Sequence, residues 1–181
     1  MKFKVVAALA GLSILSVVAG SAIAAPKAEL RERADKTLDH FYRLNPANSG
    51  LEQKAAGVLI FSRVTKGGIG VGGEWGEGVL QVGGKTVGYY SVGSASVGLT
   101  LGLGRHSEII MFMTPDALTR FQSSHGWSAG ADSAIAVVFD GAGGQYDATT
   151  LDRPILGFVF GEKGLIGDLS LEGTKITQIK N

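Results

Sequence analysis

Val97-Gly98-Leu99-Thr100-Leu101-Gly102-Leu103-Gly104 alternates large apolar residues with glycine or threonine. A period of two belongs to a β-strand. This strand has a leucine face and a nearly bare one, and something, backbone or ligand, can come close to the bare face. Fourteen of the chain's 28 glycines lie between Gly67 and Gly104, so the excess over an ordinary glycine share is local. Within that region Val82-Gly83-Gly84-Lys85 fits a two-residue hairpin turn, whose central residues both need positive φ. Upstream, Val58-Leu59-Ile60-Phe61 is a compact apolar run. From there to the C-terminus, short strand-like segments alternate with glycine turns. Residues 109–113, 134–139 and 155–160 are apolar on both faces apart from Gly157, as expected of strands covered on both sides. Residues 164–179 read as two strands turning at Glu172-Gly173-Thr174.

Helical periodicity is confined to three places. Leu30, Ala34, Leu38 and Phe41 form one stripe of a helix over residues 27–44, which Asn45-Pro46 ends. The opposite face mixes Lys and Arg with Glu and Asp almost evenly, so it reads as a solvated face rather than a membrane-surface helix. A second helix is expected over residues 49–56. A third begins at Thr114-Pro115-Asp116 with proline in the favoured first position, buries Leu118 and Phe121, and stops by Gly126. The expected fold is α+β, mainly β: a curved, largely antiparallel sheet or partial barrel with two or three packed helices.

The first residues describe an address rather than a fold. Met1-Lys2-Phe3-Lys4 is a short positive start, residues 5–18 are almost wholly apolar, and Ala22 and Ala24 stand where signal peptidase reads small side chains. The expected division is a signal peptide over 1–24, an N-terminal helix in 25–50, and the main domain over 51–181, with the periplasm as destination. Removing 1–24 leaves 15 Lys and Arg against 16 Asp and Glu. That balance offers no basic footprint for nucleic acid. The chain has no cysteine, so it carries neither a disulfide nor a cysteine-linked lipid.

Three motifs invite a catalytic or cofactor reading, and none has its required context. Gly68-Ile69-Gly70-Val71-Gly72-Gly73 has the glycine spacing of a dinucleotide fingerprint, but Glu74-Trp75-Gly76-Glu77-Gly78 follows where a helix should begin. Gly126-Trp127-Ser128-Ala129-Gly130 matches a nucleophile elbow, yet no histidine lies beyond His125. His40, His106 and His125 are scattered, and Asp140, Asp147 and Asp152 lack the spacing of a calcium loop. The expectation is no enzyme, no cofactor and no metal.

Basic residues near the glycines suggest a different chemistry. Arg63 and Lys66 flank the strand expected over residues 64–73, and Lys66 precedes Gly67-Gly68, where an ammonium and backbone N–H groups could meet a phosphate. Gly57-Val58-Leu59-Ile60-Phe61, Lys66-Gly67-Gly68-Ile69-Gly70-Val71-Gly72-Gly73 and Gly76-Glu77-Gly78-Val79-Leu80 together resemble the opening of SYLF domains. The resemblance continues through Gly84-Lys85-Thr86-Val87-Gly88-Tyr89-Tyr90, Phe112-Met113-Thr114 with Ala117-Leu118, Gly161-Glu162-Lys163-Gly164-Leu165 and Leu171-Glu172-Gly173-Thr174-Lys175-Ile176. It spans residues 51–179 and is closest to the exported bacterial branch. Ala56 departs from a lysine often found there, and Asp168 from a small residue.

The resemblance implies a lipid-binding module without catalysis. The expected function is a phospholipid-binding module of the bacterial cell envelope, contacting acidic phospholipid or a membrane surface through Arg63, Lys66, Gly67, Gly68 and Lys85. Actin, bound by some eukaryotic members, is not an expected partner of an exported protein, and neither is nucleic acid; a protein partner stays unassigned. Alternatives are an outer-membrane β-barrel, or an envelope stress protein that binds another protein.

Overall fold

The computed structural model describes residues 25–124, 126–128, 135–139, 151–163 and 173–180. The expected signal peptide, Asp140, Asp147, Asp168 and the strand expected before Gly173 lie outside these residues. Helix α1 (Lys27–Leu44) buries the expected stripe of Leu30, Ala34, Leu38 and Phe41. Helix α2 (Ala47–Lys54) starts two residues before its expected position. Pro46 already has helical φ and ψ, and Asn45 Oδ1 accepts the Ala47 N–H at 3.0 Å. The buried Asn48 side chain donates to the Phe41 carbonyl at 2.8 Å, tying the two helices together.

The sheet departs from a series of short segments. Strands β1 (Gly57–Val82) and β2 (Lys85–Phe112) are 26 and 28 residues long and form one antiparallel hairpin. Ordinary strands run about 5–6 residues. The glycines between Gly67 and Gly78 are therefore strand residues and not turns. The strands expected over residues 64–73 and 97–104 are parts of this hairpin, and its tip turns as expected, with Gly83 and Gly84 at φ 56° and 73°. A ribbon this long cannot stay flat, because strands twist and bulges bend them. Register shifts fall at Phe61/Val64, Ile69/Val71 and Leu80/Gln81.

The hairpin consequently curls until the second half of β1 lies over the first. A Cβ on Gly78 would stand 2.3 Å from the Ile60 carbonyl oxygen, and one on Gly76 2.8 Å from that of Arg63. Glycine is required at this seam because backbone meets backbone.

Among the described residues four shorter strands join the hairpin in a curled half-barrel sheet: β3 (Trp127–Ser128), β4 (Ala136–Phe139), β5 (Ile155–Lys163) and β6 (Lys175–Gln178). Along one edge of β2, β6 pairs with 90–93 and β5 with 105–112, while β1 follows the other edge. β3 joins β6 antiparallel, and β4 joins β5 in parallel. The architecture is α+β and mainly β, as the sequence pattern implies.

Both faces of the sheet are covered. Ile109, Met111, Leu156, Phe158 and Phe160 face α1, where Phe41 meets the rings of Phe158 and Phe160 at 4.8 and 5.3 Å. Ile110, Phe112, Ile155 and Val159 face the inside of the curl. That side is closed by α3 (Pro115–Ser123), capped by Thr114 Oγ1 accepting the Ala117 N–H at 3.2 Å. Leu118 and Phe121 are buried there, and Phe121 touches Tyr90, Phe112 and Trp127. Each fully buried large side chain contributes about 1.5–3 kcal/mol of transfer free energy. The two-sided burial expected of residues 109–113 and 155–160 is observed over 109–112 and 155–160, with Met113 partly buried, and it holds the half-barrel together.

Candidate functional site

Two features meet where β1 and β2 emerge from the core: a cationic rim outside and a polar cluster inside. Period-two geometry separates them. On β2, His106 and Glu108 fall on the same face as Ile110 and point into the protein, both being buried. Arg105 and Leu103 take the other direction and are exposed. The bulge between Phe61 and Val64 leaves Arg63 exposed beside them.

Arg63 lines two cavities that share it and Ser62. The larger, about 350 Å³, is walled by Ala25 and Pro26, by Leu30 and Arg33 of α1, and by Thr65, Trp75 and Glu77. Its α1 side is fixed by the Arg33–Glu29 ion pair and by the Ala25 N–H, which donates to Glu77 Oε2 at 2.9 Å. The smaller, about 220 Å³, brings Arg63 together with Arg105, His106, Ser107 and Gly161. Two exposed apolar side chains flank this region. Trp75 is 45% exposed, and Leu103, two residues from Arg105 on the same strand face, is 77% exposed. Arginine, tryptophan and leucine at one surface can meet an anionic headgroup and the apolar layer beneath it.

The other expected site residues are distributed differently. Lys66 pairs with Gly104 in the ladder, is half-buried, and its charge acts on Glu108. Gly67 and Gly68 pair with Leu103 and Gly102 as extended strand. Successive N–H groups of a strand point to opposite edges, so this dipeptide does not form an anion-binding nest. Lys85 is exposed at the hairpin turn beside Val82, away from the Arg63 cavities. The structure thus joins Arg63 to Arg105, Trp75 and Leu103, none of which the sequence reading singled out as a site residue.

Beneath the rim lie Glu74, His106 and Glu108, all buried, with one potential ligand atom from each within 4.8 Å of the others. His106 Nε2 and Glu108 Oε1 are 2.7 Å apart. Thr174 Oγ1 donates to Glu74 Oε1 at 3.2 Å. Burial pushes the Glu108 carboxyl above its ordinary range, the His106 hydrogen bond and charge pull it back, Glu74 raises it further, and Lys66 lowers it. The signal for this cluster was present in β2, since two polar residues two apart share a face with core residues. Glu74 was out of reach of any local spacing rule, because only the curled hairpin brings β1 and β2 together there.

The motif readings also find their places. Gly68 and the glycines after it run through β1, with no helix following. Ser128 lies in the β3–β6 ladder opposite Lys175, and Trp127 is buried against Phe112 and Phe121. No helix among the described residues is long and apolar enough to cross a membrane. The outer sheet face around Val58, Ile60 and Ile109 is occupied by α1.

A curled β-sheet domain with helices on both faces and a cationic, partly apolar rim defines the class of protein. Residues 93–181 match the family described as Ysc84: Las17-binding protein actin regulator. This match supports the SYLF domain family, which the sequence resembles. No curated protein sequence matches the chain.

Proposed function

We propose that this protein is a non-catalytic phospholipid-binding module of the bacterial cell envelope, exported to the periplasm. The observation that carries the proposal is the convergence of Arg63 and Arg105 on one cavity, flanked by the exposed Trp75 and Leu103. The guanidinium groups would hold the phosphate of an acidic lipid, and the two apolar side chains would enter the interfacial layer. Of the expected contacts, Arg63 is retained at the centre. Lys66, Gly67 and Gly68 support the strand beneath it, and Lys85 would add attraction at the turn.

Each cation near an anionic surface contributes about 1 kcal/mol, so binding should be weak and salt-sensitive. Vesicle flotation tests this reading. The purified protein is expected to rise with phosphatidylglycerol vesicles at low salt and to stay behind at high salt. Arg63→Glu combined with Arg105→Glu should abolish flotation; no flotation at low salt, or flotation unchanged in that variant, overturns the reading. The family description refers to Las17 and actin. An exported protein meets neither, so co-sedimentation with actin filaments should be negative.

A further inference from the structure

The geometry points to a divalent-cation site formed by Glu74, His106 and Glu108, separate from the lipid contacts of the rim. Two carboxylates and an imidazole are withdrawn from water together, Glu74 at 8%, His106 at 2% and Glu108 at 1% exposure. Burying ionisable groups is costly unless their charges and lone pairs are met. Here they are incompletely met: His106 Nδ1 and Glu108 Oε2 are buried without a hydrogen-bond partner. Native proteins leave few such atoms unsatisfied, and an ion is one of the standard reasons for an apparent exception.

The donor set favours a particular kind of ion. One imidazole nitrogen with two carboxylate oxygens suits zinc, manganese or ferrous iron better than magnesium or calcium, which prefer all-oxygen shells. Lys66 offsets part of the negative charge on Glu108, and a divalent ion would supply the remainder. A zinc ion bound at about 2.0–2.2 Å holds its ligand atoms roughly 3.4 Å apart. The present atoms span up to 4.8 Å, with the His106–Glu108 contact at 2.7 Å. Side-chain adjustments of about 1 Å would therefore bring the three groups onto one ion. The Thr174 hydroxyl, donating to Glu74, would act as the outer partner that orients a ligand. The cavity of Ser62, Arg63, Arg105 and Ser107 also reaches His106, which gives the ion a route inward.

The test uses zinc chloride alone with the purified, metal-stripped full chain. Titration calorimetry is expected to show one saturable equivalent of zinc and a raised melting temperature, while magnesium leaves both unchanged. His106→Gln and Glu108→Gln should each weaken zinc binding by more than about 100-fold, and Thr174→Val by about tenfold. Histidine-ring NMR on the unmodified protein gives a readout that survives misfolding of a variant. Zinc should move the His106 ring signals and leave His40 and His125 in place. Absence of saturable zinc binding, affinity unchanged in properly folded His106→Gln or Glu108→Gln, or zinc shifts confined to His40 or His125 would overturn the assignment.

Discussion

Two neighbouring stretches of the β1–β2 ladder, one at its open end and one just beyond it, use the same backbone pairing for opposite purposes. At the open end, residues 57–61 pair with 108–112, and Leu59, Ile60, Phe61, Ile109, Ile110, Met111 and Phe112 are all fully buried. A few residues along, Val64 to Lys66 pair with Gly104 to His106, and the interior there holds Glu74, His106 and Glu108. The apolar stretch needs only close packing to be stable. The polar stretch costs desolvation and leaves two buried atoms without partners. The contrast teaches where to look for function: burying unmet polar groups adds cost rather than packing, so the polar stretch points to a role other than stability.

The largest effect should come from the apolar stretch. Phe121→Ala empties the contact of three aromatic rings and is expected to cost about 3–5 kcal/mol in urea denaturation. A loss below 1 kcal/mol would mean that the inside of the curl is loosely packed. Gly78→Ala addresses the seam that joins the two halves of the hairpin. The added methyl would press on the Ile60 carbonyl, and a loss of about 3 kcal/mol is expected, whereas Gly50→Ala has open space and should not destabilise the fold.

At the polar stretch, Thr174→Val removes the donor to Glu74 and leaves a buried carboxylate oxygen short of a partner. A cost of about 1–3 kcal/mol is expected by the same denaturation measurement. An unchanged midpoint would show that Glu74 is satisfied without Thr174.

A smaller effect belongs to α1, outside both stretches. Burial, reinforced by Glu52, pushes the Tyr42 hydroxyl up to about 12. A raised pKa means the fold favours the protonated phenol. The corresponding stability is complete below pH 10 and is lost as pH rises through 12. Burial also raises the Tyr90 hydroxyl, so alkaline absorbance titration should show more than one tyrosine ionising late, and Tyr42→Phe should remove one of those late steps.

Much of the architecture was legible because period and punctuation are local. The α1 stripe, Pro115 at the start of α3, the Gly83-Gly84 turn and the two-faced strands all depend on neighbours within a few residues. The continuity of β1 and β2 through the glycines was not legible, since glycine marks a turn and a close backbone approach with the same letter. Gly76 and Gly78 are explained only by Ile60 and Arg63, which curl against them from more than ten residues away. The site follows the same rule. Arg63 stood out beside the glycines, but Arg105, Trp75 and Leu103 join it through the register of the hairpin, and Glu74 meets His106 only through its curvature.

The account rests most heavily on the rim around Arg63 meeting anionic lipid, and Trp75 reports on that surface directly. The chain has two tryptophans, and Trp127 is already buried at 2% exposure. Titrating the protein with phosphatidylglycerol vesicles at low salt should shift Trp75 emission to the blue and protect it from iodide, with both changes reversed by added salt. Emission and quenching that stay constant while vesicles saturate would place lipid elsewhere or nowhere, and would contradict the account.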